Sequence, residues 1–397
     1  MNVIKKTTAD VRGVISSKGG ELSDEEALRI IEAYILNDER FSMHSNTERR
    51  AMINRVFYSL RTDLDILQPY ADDREVSEIM VNGKNDIFIE KYGKLEKIPV
   101  YFDRTEDLEE VIRRICAKVH REINELTPVV DARLEDGSRV NAVYKNIAIN
   151  GPILTIRKFP EKAITMEMLI QNKTITEEAA KFLEKLVAAG YNIFISGGTS
   201  SGKTTFLNVL SNYIPVDERV IVIEDSAELQ IRKIQNIVRM ECRNANVQGK
   251  GQVDMQQLIK TSLRMRPDRI IIGEVRGKEV LDMIQAMNTG HDGSLSTGHG
   301  NSIEGMLRRL ESMFLQAADF PIEAIRSQIA EGIDIIVHMG RLQDKSRKIL
   351  EISEIKGFDG SNIVLNQLFK YKMNGGLVRS TNTIHNQEKL ELRGTSI

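Results

Sequence analysis

"FISGGTSSGKTTFLNVL", Phe194 to Leu210, decides how the rest of this chain is read. Gly197, Gly202, Lys203 and Thr204 set four residues between two glycines and follow them with Lys-Thr, which completes the phosphate-loop pattern. The apolar run "NIFIS" before the loop predicts a buried strand, and Phe206, Leu210 and Ile214 after it recur at the spacing of a helix face. A strand-to-helix turn of this kind is an anion site. Its glycines let successive backbone N–H groups converge, and the helix N-terminus adds partial positive charge. Gly197, Gly198, Thr199, Ser200, Ser201, Gly202, Lys203, Thr204 and Thr205 are therefore expected to bind a nucleotide. Lys203 is expected on the terminal phosphates and the Thr204 hydroxyl on a magnesium ion. The bland alternative, a glycine-rich turn with a solvated lysine, leaves the matching strand and helix unexplained.

The whole chain sets wider bounds. Its 397 residues allow two or three domains with real cores. A hydrophobic fraction of 41% and a charged fraction of 28% suit a soluble globular protein. A net charge of −2 offers no bulk attraction to nucleic acid or anionic membrane, so no direct nucleic-acid partner is expected. Cys116 and Cys242 form no CxxC pair, which suggests plain thiols in a reducing cytoplasm and no zinc or haem. "MNVIKKTTADVRG" has no apolar core after its lysines, so no signal peptide is read there, and no run reaches the length of a membrane helix. The expected place is the cytoplasm, with any membrane contact made from its surface.

Four regions separate by pattern. Residues 1–70 read as helical: Ser23 and Glu26 form a capping box, and Leu28, Ile31 and Ile35 then share a face. Residues 71–158 read as an α+β domain. Short strands ("SEIMVNG", "NDIFIEKYG", "KLEKIPVYF") precede a helix carrying Leu108, Ile112, Ile115 and Val119, and "PVVDARL", "SRVNAVY" and "PILTIRKF" follow. Residues 159–165, "FPEKAIT", are expected to link this domain to an α/β domain over 166–397. There helices alternate with the apolar strands ending at Ser196, "RVIVIED" and "DRIIIGE", the mark of a parallel sheet covered on both faces. "KILEISEIKGFDGSNIVLNQLFKYK" reads as a closing hairpin turning at "DGSN", and the polar residues from about Asn374 are expected to fray.

Phosphoryl transfer to water needs a metal-bound phosphate, an oriented water and charge stabilisation. "RPDRIIIGEVRG" ends an apolar strand in Glu274, where a carboxylate would face the magnesium shell. "VIVIEDSAEL" ends another in Glu224-Asp225; one of these acids could polarise the attacking water, while Asp225 could equally cap a turn. "TGHDGSLSTGHGNS" carries His291 and His299 in a glycine- and serine-rich segment of little packing value but many donors. It reads as a phosphate sensor, with a zinc pair as the rival.

These motifs, in this order, resemble the secretion ATPase superfamily that powers type II and type IV secretion and type IV pili. "VVDARLEDGSRVNAV" with "LTIRKF" resembles its CpaF-like branch, the ATPases of tight-adherence (Tad) pilus assembly. The resemblance implies a RecA-like P-loop ATPase core preceded by a smaller α+β domain and an N-terminal helical region. It also implies a homohexameric ring acting on inner-membrane platform proteins from the cytoplasmic face. It puts Glu224 on the catalytic water, Glu274 on magnesium through water, the histidine motif on His299, and Arg133, Arg139 and Arg157 on the phosphates. The family pattern leads one to expect alanine where this chain has Gly300. Arg133 and Arg139 lie six residues apart across a turn, so spacing alone does not put them on one face. Of Arg264, Arg266 and Arg276, at least one is expected to be structural or inter-subunit. The rival readings are a type IV secretion or conjugation ATPase, a pilus retraction motor, a P-loop kinase and a DNA-translocating motor.

Overall fold

The computed structural model describes residues 3–17, 22–134, 136–158, 164–243, 245 and 250–394. The chain divides into two compact units, Met1–Lys162 and Ala163–Ile397. The expected linker falls mostly on residues 159–163, outside the described residues.

The first unit begins with helices α1 (Val3–Ser17), α2 (Asp24–Asn37) and α3 (Asn46–Arg61), packed around Val11, Ile31, Ile35, Phe41, Ile53 and Val56. The Ser23–Glu26 capping box at the start of α2 is present, and Ser45–Glu48 repeats it on α3. A short α4 (Gln68–Asp72) leads into β1 (Val76–Asn82), β2 (Ile87–Lys91), β3 (Lys94–Lys97), α5 (Thr105–Lys118), β4 (Val129–Arg133), β5 (Arg139–Val143) and β6 (Ile153–Arg157). The strands form one antiparallel sheet in the order β3-β2-β1-β6-β5-β4. One face of it, with Ile79, Val140, Leu154 and Ile156, joins the apolar side of α5 in a single core. Helix α5 buries Leu108, Ile112 and Ile115 as the spacing requires, but it ends at Lys118. Val119 is its C-cap, and His120 turns left-handed at φ +53°, so the apolar period overran the helix by one residue.

The second unit runs α6 (Met166–Gln171), α7 (Glu177–Ala189), β7 (Ile193–Gly197), α8 (Lys203–Ser211), β8 (Val220–Glu224), β9 (Ile237–Glu241), α9 (Met255–Ser262), β10 (Arg269–Val275), α10 (Val280–Asn288), β11 (Leu295–His299), α11 (Ile303–Ala317), α12 (Ile322–Gly332) and β12 (Ile335–Arg341). It closes with β13 (Arg347–Phe358), β14 (Ile363–Lys372), β15 (Gly376–Arg379) and α13 (Glu388–Leu392). The nine-stranded sheet is ordered β15-β14-β13-β12-β7-β11-β10-β8-β9, parallel from β12 to β9 and antiparallel beyond β12. Successive residues of β7 enter opposite cores: Ile193 and Ile195 pack with α7 and α8, and Phe194 packs with α10 and α11. That is why its run is continuously apolar.

Two expectations are corrected here. The glycine- and serine-rich "LSTGH" is β11, a central strand between β7 and β10, not a segment without packing value. Small residues are needed there, since a Cβ on Gly298 would stand 2.8 Å from the Phe194 ring. The tail does not fray from Asn374 either. β15 pairs with β14, Ile384 and Leu390 are buried, and Tyr191 Oη donates to Asn386 O at 2.5 Å. Its apolar residues are too few to show a period, yet Leu377, Ile384 and Leu390 find places in the core while Leu392 stays exposed.

Candidate nucleotide site

The site grows from the carboxyl ends of four parallel strands: Gly197 ends β7, Glu224 ends β8, Glu274 lies one residue before the end of β10, and His299 ends β11. The crevice outside the carboxyl ends is where an open α/β sheet binds its ligands. Gly197 admits no larger residue, because a Cβ would stand 2.5 Å from Met339 O. Ser200 (φ +59°) and Gly202 (φ +95°, the N-cap of α8) are left-handed and curl the loop back on itself. Thr199 and Ser200 are exposed at its tip, and Gly198, Thr204 and Thr205 are half-buried.

Lys203 is buried, and its Nζ donates to Gly198 O at 3.1 Å within its own loop. The same ammonium lies 3.3 Å from His299 Nδ1, and His299 Nε2 lies 2.7 Å from Glu274 Oε1. An ammonium has only protons to give, so Nδ1 is the acceptor and the ring proton sits on Nε2, facing the carboxylate. Burial, then Lys203, holds the His299 pKa below its ordinary value, consistent with the neutral ring. Burial also lowers the Lys203 pKa, with Glu274 opposing it. Glu274 Oε2 accepts from Arg276 Nη2 at 2.7 Å and Nε at 3.0 Å, and Arg276 Nη1 lies 3.5 Å from Asp225 Oδ2. Lysine, histidine, glutamate, arginine and aspartate thus form one chain of contacts along the rim.

Glu224 is placed differently. It is buried, and its Oε1 accepts from the backbone N–H groups of Glu228 at 2.8 Å and Leu229 at 3.0 Å, holding the loop that follows β8. His291 precedes β11 and lies 3.2 Å from Ala286 O, at the end of the strand opposite His299, so the two histidines do not meet. Of Arg264, Arg266 and Arg276, at least one of which is expected to be structural or inter-subunit, Arg276 joins the rim through contact with two acids. Arg347 went unnoticed in the sequence. It starts β13 and donates from Nε to Ser200 O at 3.1 Å, a neighbour brought in by strand pairing.

In the first unit, Arg133 pairs with Arg139, and Arg139 with Arg157, across β4, β5 and β6. Directly opposed residues share a face, so these three arginines form one row, and Glu78 of β1 continues it opposite Arg157.

The donor set fits a magnesium-bound nucleotide. Ser201 Oγ is buried without a hydrogen-bond partner among the described residues, Lys203 is satisfied by its own loop, and Thr204 stands in the first turn of α8. No cluster of three or more His, Cys, Asp or Glu side chains that could hold a metal ion is found among the described residues.

A phosphate loop on the first core strand, with acids and a histidine along the same rim, defines a RecA-like P-loop fold carried behind N-terminal helices and a smaller domain. The chain belongs to the type II/IV secretion system protein family, whose model it matches over residues 61–383. An uncharacterized protein of Methanocaldococcus jannaschii is 40% identical over 304 residues, 74% of this chain but 41% of that relative, so the chain spans less than half of its length. The conjugal transfer protein TrbB of Rhizobium radiobacter is 33% identical over 291 residues, 72% of this chain and 86% of the relative. Among solved structures, the Legionella pneumophila ATPase DotB has a TM-score of 0.53 at 20% identity, covering 74% of this chain and 80% of that one, a likeness of fold.

Proposed function

We propose that this chain is a cytoplasmic ATPase that hydrolyses ATP at Gly197–Thr205 and converts the reaction into motion of an inner-membrane platform, assembling or secreting pilin-like subunits. The observation that carries the reading is the contact chain from Lys203 through His299 to Glu274 and Arg276, which ties the phosphate loop to an acid two strands away. A γ-phosphate arriving at Lys203 competes with Gly198 O and His299 for that ammonium, so nucleotide state is read directly by the histidine and the acid behind it. Thr204 would hold magnesium directly and Glu274 through water, and the ion would supply charge neutralisation for the phosphates. Glu224 orients the attacking water. Arg133, Arg139 and Arg157 act on the phosphates, a reading supported by their common row on one face of the sheet.

The assembly is a homohexamer held peripherally at the cytoplasmic face of the membrane, of the Tad pilus branch, which the motif "VVDARLEDGSRVNAV" favours. A second reading, a conjugation ATPase, has its own support in the likeness to TrbB. Lys203→Ala is the direct test. It deletes the cation of the loop, and ATP turnover by the purified full chain should fall to background. Turnover near the parent rate would refute the nucleotide reading. Deleting the chain in its host separates the two branches, since pili should be lost in one case and mating in the other.

A further inference from the structure

We propose that Arg341 and Arg347 form a cation pair that binds the α- and β-phosphate end of the nucleotide, on the side of the loop away from the acids. This rests on the ATPase reading above.

The two arginines are paired in register across β12 and β13, at the turn end of that hairpin, beside the phosphate loop. Both are exposed, and neither has an ion pair with a carboxylate among the described residues. Asp344, the acid in the connecting turn, is engaged by the backbone N–H and hydroxyl of Ser346. Like charges placed directly opposite each other on a sheet are unfavourable, so the arrangement lacks an anion. Its position says which one. β12 runs parallel beside β7, with Met339 opposite Gly197, so the turn of the hairpin stands on the same rim as the loop. Arg347 is already anchored there: Nε donates to Ser200 O at 3.1 Å, and its Cδ lies 3.3 Å from where a Gly202 Cβ would be. No hydrogen bond from either Nη is found among the described residues.

The sheet order supplies the direction. β7 lies between β11 and β12, with Glu274 on β10 beyond β11. Lys203 leans toward His299 and Glu274, so the reacting γ-phosphate belongs on that side. The rest of the nucleotide must leave the loop the other way, toward the hairpin carrying the two arginines. Guanidinium groups suit phosphate oxygens through paired N–H donors.

The consequence separates this pair from every group on the acid side. ATP and ADP share their α- and β-phosphates, so Arg341→Ala/Arg347→Ala should weaken both by the same factor, about tenfold, the scale of one or two charge-assisted hydrogen bonds. Binding of ATP and ADP to the full-length chain is measured by calorimetry with magnesium present, beside the parent and Lys203→Ala. Thermal unfolding without nucleotide should be unchanged or raised by removing the repulsion, which shows that the variant is folded. ADP affinity equal to that of the parent would overturn the proposal, as would a loss confined to ATP. If Lys203→Ala binds both nucleotides as the parent does, the ATPase reading itself has failed; if it loses them while the arginine variant does not, this proposal alone has.

Discussion

His299 and His338 give the residue scale its sharpest expectation, because burial holds both below the ordinary imidazole value of 6.5. His299 accepts at Nδ1 from Lys203, and His338 lies with Nδ1 3.2 Å from Ser196 Oγ, inside the strand that leads to the loop. In the unfolded chain both rings take protons near 6.5, while in the fold they do so only at lower pH. Stability from these sites is therefore complete above about pH 6.5 and is lost as pH falls through that value toward the lower folded values. Thermal unfolding from about pH 8 to 5 should show the midpoint dropping on the acid side, with a shallower drop in His299→Gln. The two glutamates should separate as well. Glu274→Gln should change the magnesium dependence of turnover. Glu224→Gln should still bind ATP yet turn it over about two to four orders of magnitude more slowly if the acid orients water. Equal loss of binding in both variants would mean that they hold the fold and do no chemistry. The loop, Glu274 and His299 were legible from sequence because each sits in a local pattern. Arg276 and Arg347 were not, since their partners are two residues away in a bent strand end in one case and 147 positions away in the other.

At the scale of elements, the strands that could be read were those with apolar runs: β7, β8 and β10 are buried on both faces and show it. β11 defeats that rule. Its neighbours Phe194 and Met306 fill the space its own side chains would take, so the strand is small where a periodic reading looks for large. The same crowding continues past its end. A Cβ on Gly300 would stand 2.8 Å from Ser196 Oγ and 2.9 Å from Met306 Cβ. Alanine, which the family pattern leads one to expect, is overpacked here. Gly300→Ala should destabilise the chain by about 1–3 kcal/mol, read as a lower unfolding midpoint, and should slow turnover by displacing His299. A variant as stable and active as the parent would show that the loop has slack to absorb a methyl group. Arg269 shows a different limit of pattern reading. It is fully buried at the start of β10, paired with Glu218 and bonded to the backbone of the α7 end, a site that nothing local in "RPDRIII" distinguishes from a solvated arginine.

For the whole molecule, each unit carries its own apolar core, and the division expected near the linker gives the next test its shape. A fragment spanning 164–397 keeps both faces of the large sheet covered and includes the tail, so it should fold alone. The tail matters because Lys389 reaches both Asp292 and Asp334 at 2.7 Å, and burial raises the Asp334 pKa despite that ion pair. Ending the fragment at 383 would strip away Ile384, Leu390 and that lysine, and it should unfold several kcal/mol more easily, at about 1.5–3 kcal/mol for each large apolar side chain. The fragment through 397 retains the loop, His299 and both glutamates, so it should bind ATP. It lacks Arg133, Arg139 and Arg157, whose row makes the first unit the proposed source of charge for the γ-phosphate. Arginine contacts to phosphate are strong and directional, and they weaken once phosphate leaves. Turnover by the fragment should therefore be poor although binding is kept. Arg139→Ala in the full chain should slow hydrolysis while leaving assembly intact. Light scattering coupled to size exclusion, with ATPase assays on the fragment and the full chain, decides the matter. A fragment as active as the full chain would remove the arginines from the chemistry, and a full chain that stays monomeric at every concentration and nucleotide state would remove the ring.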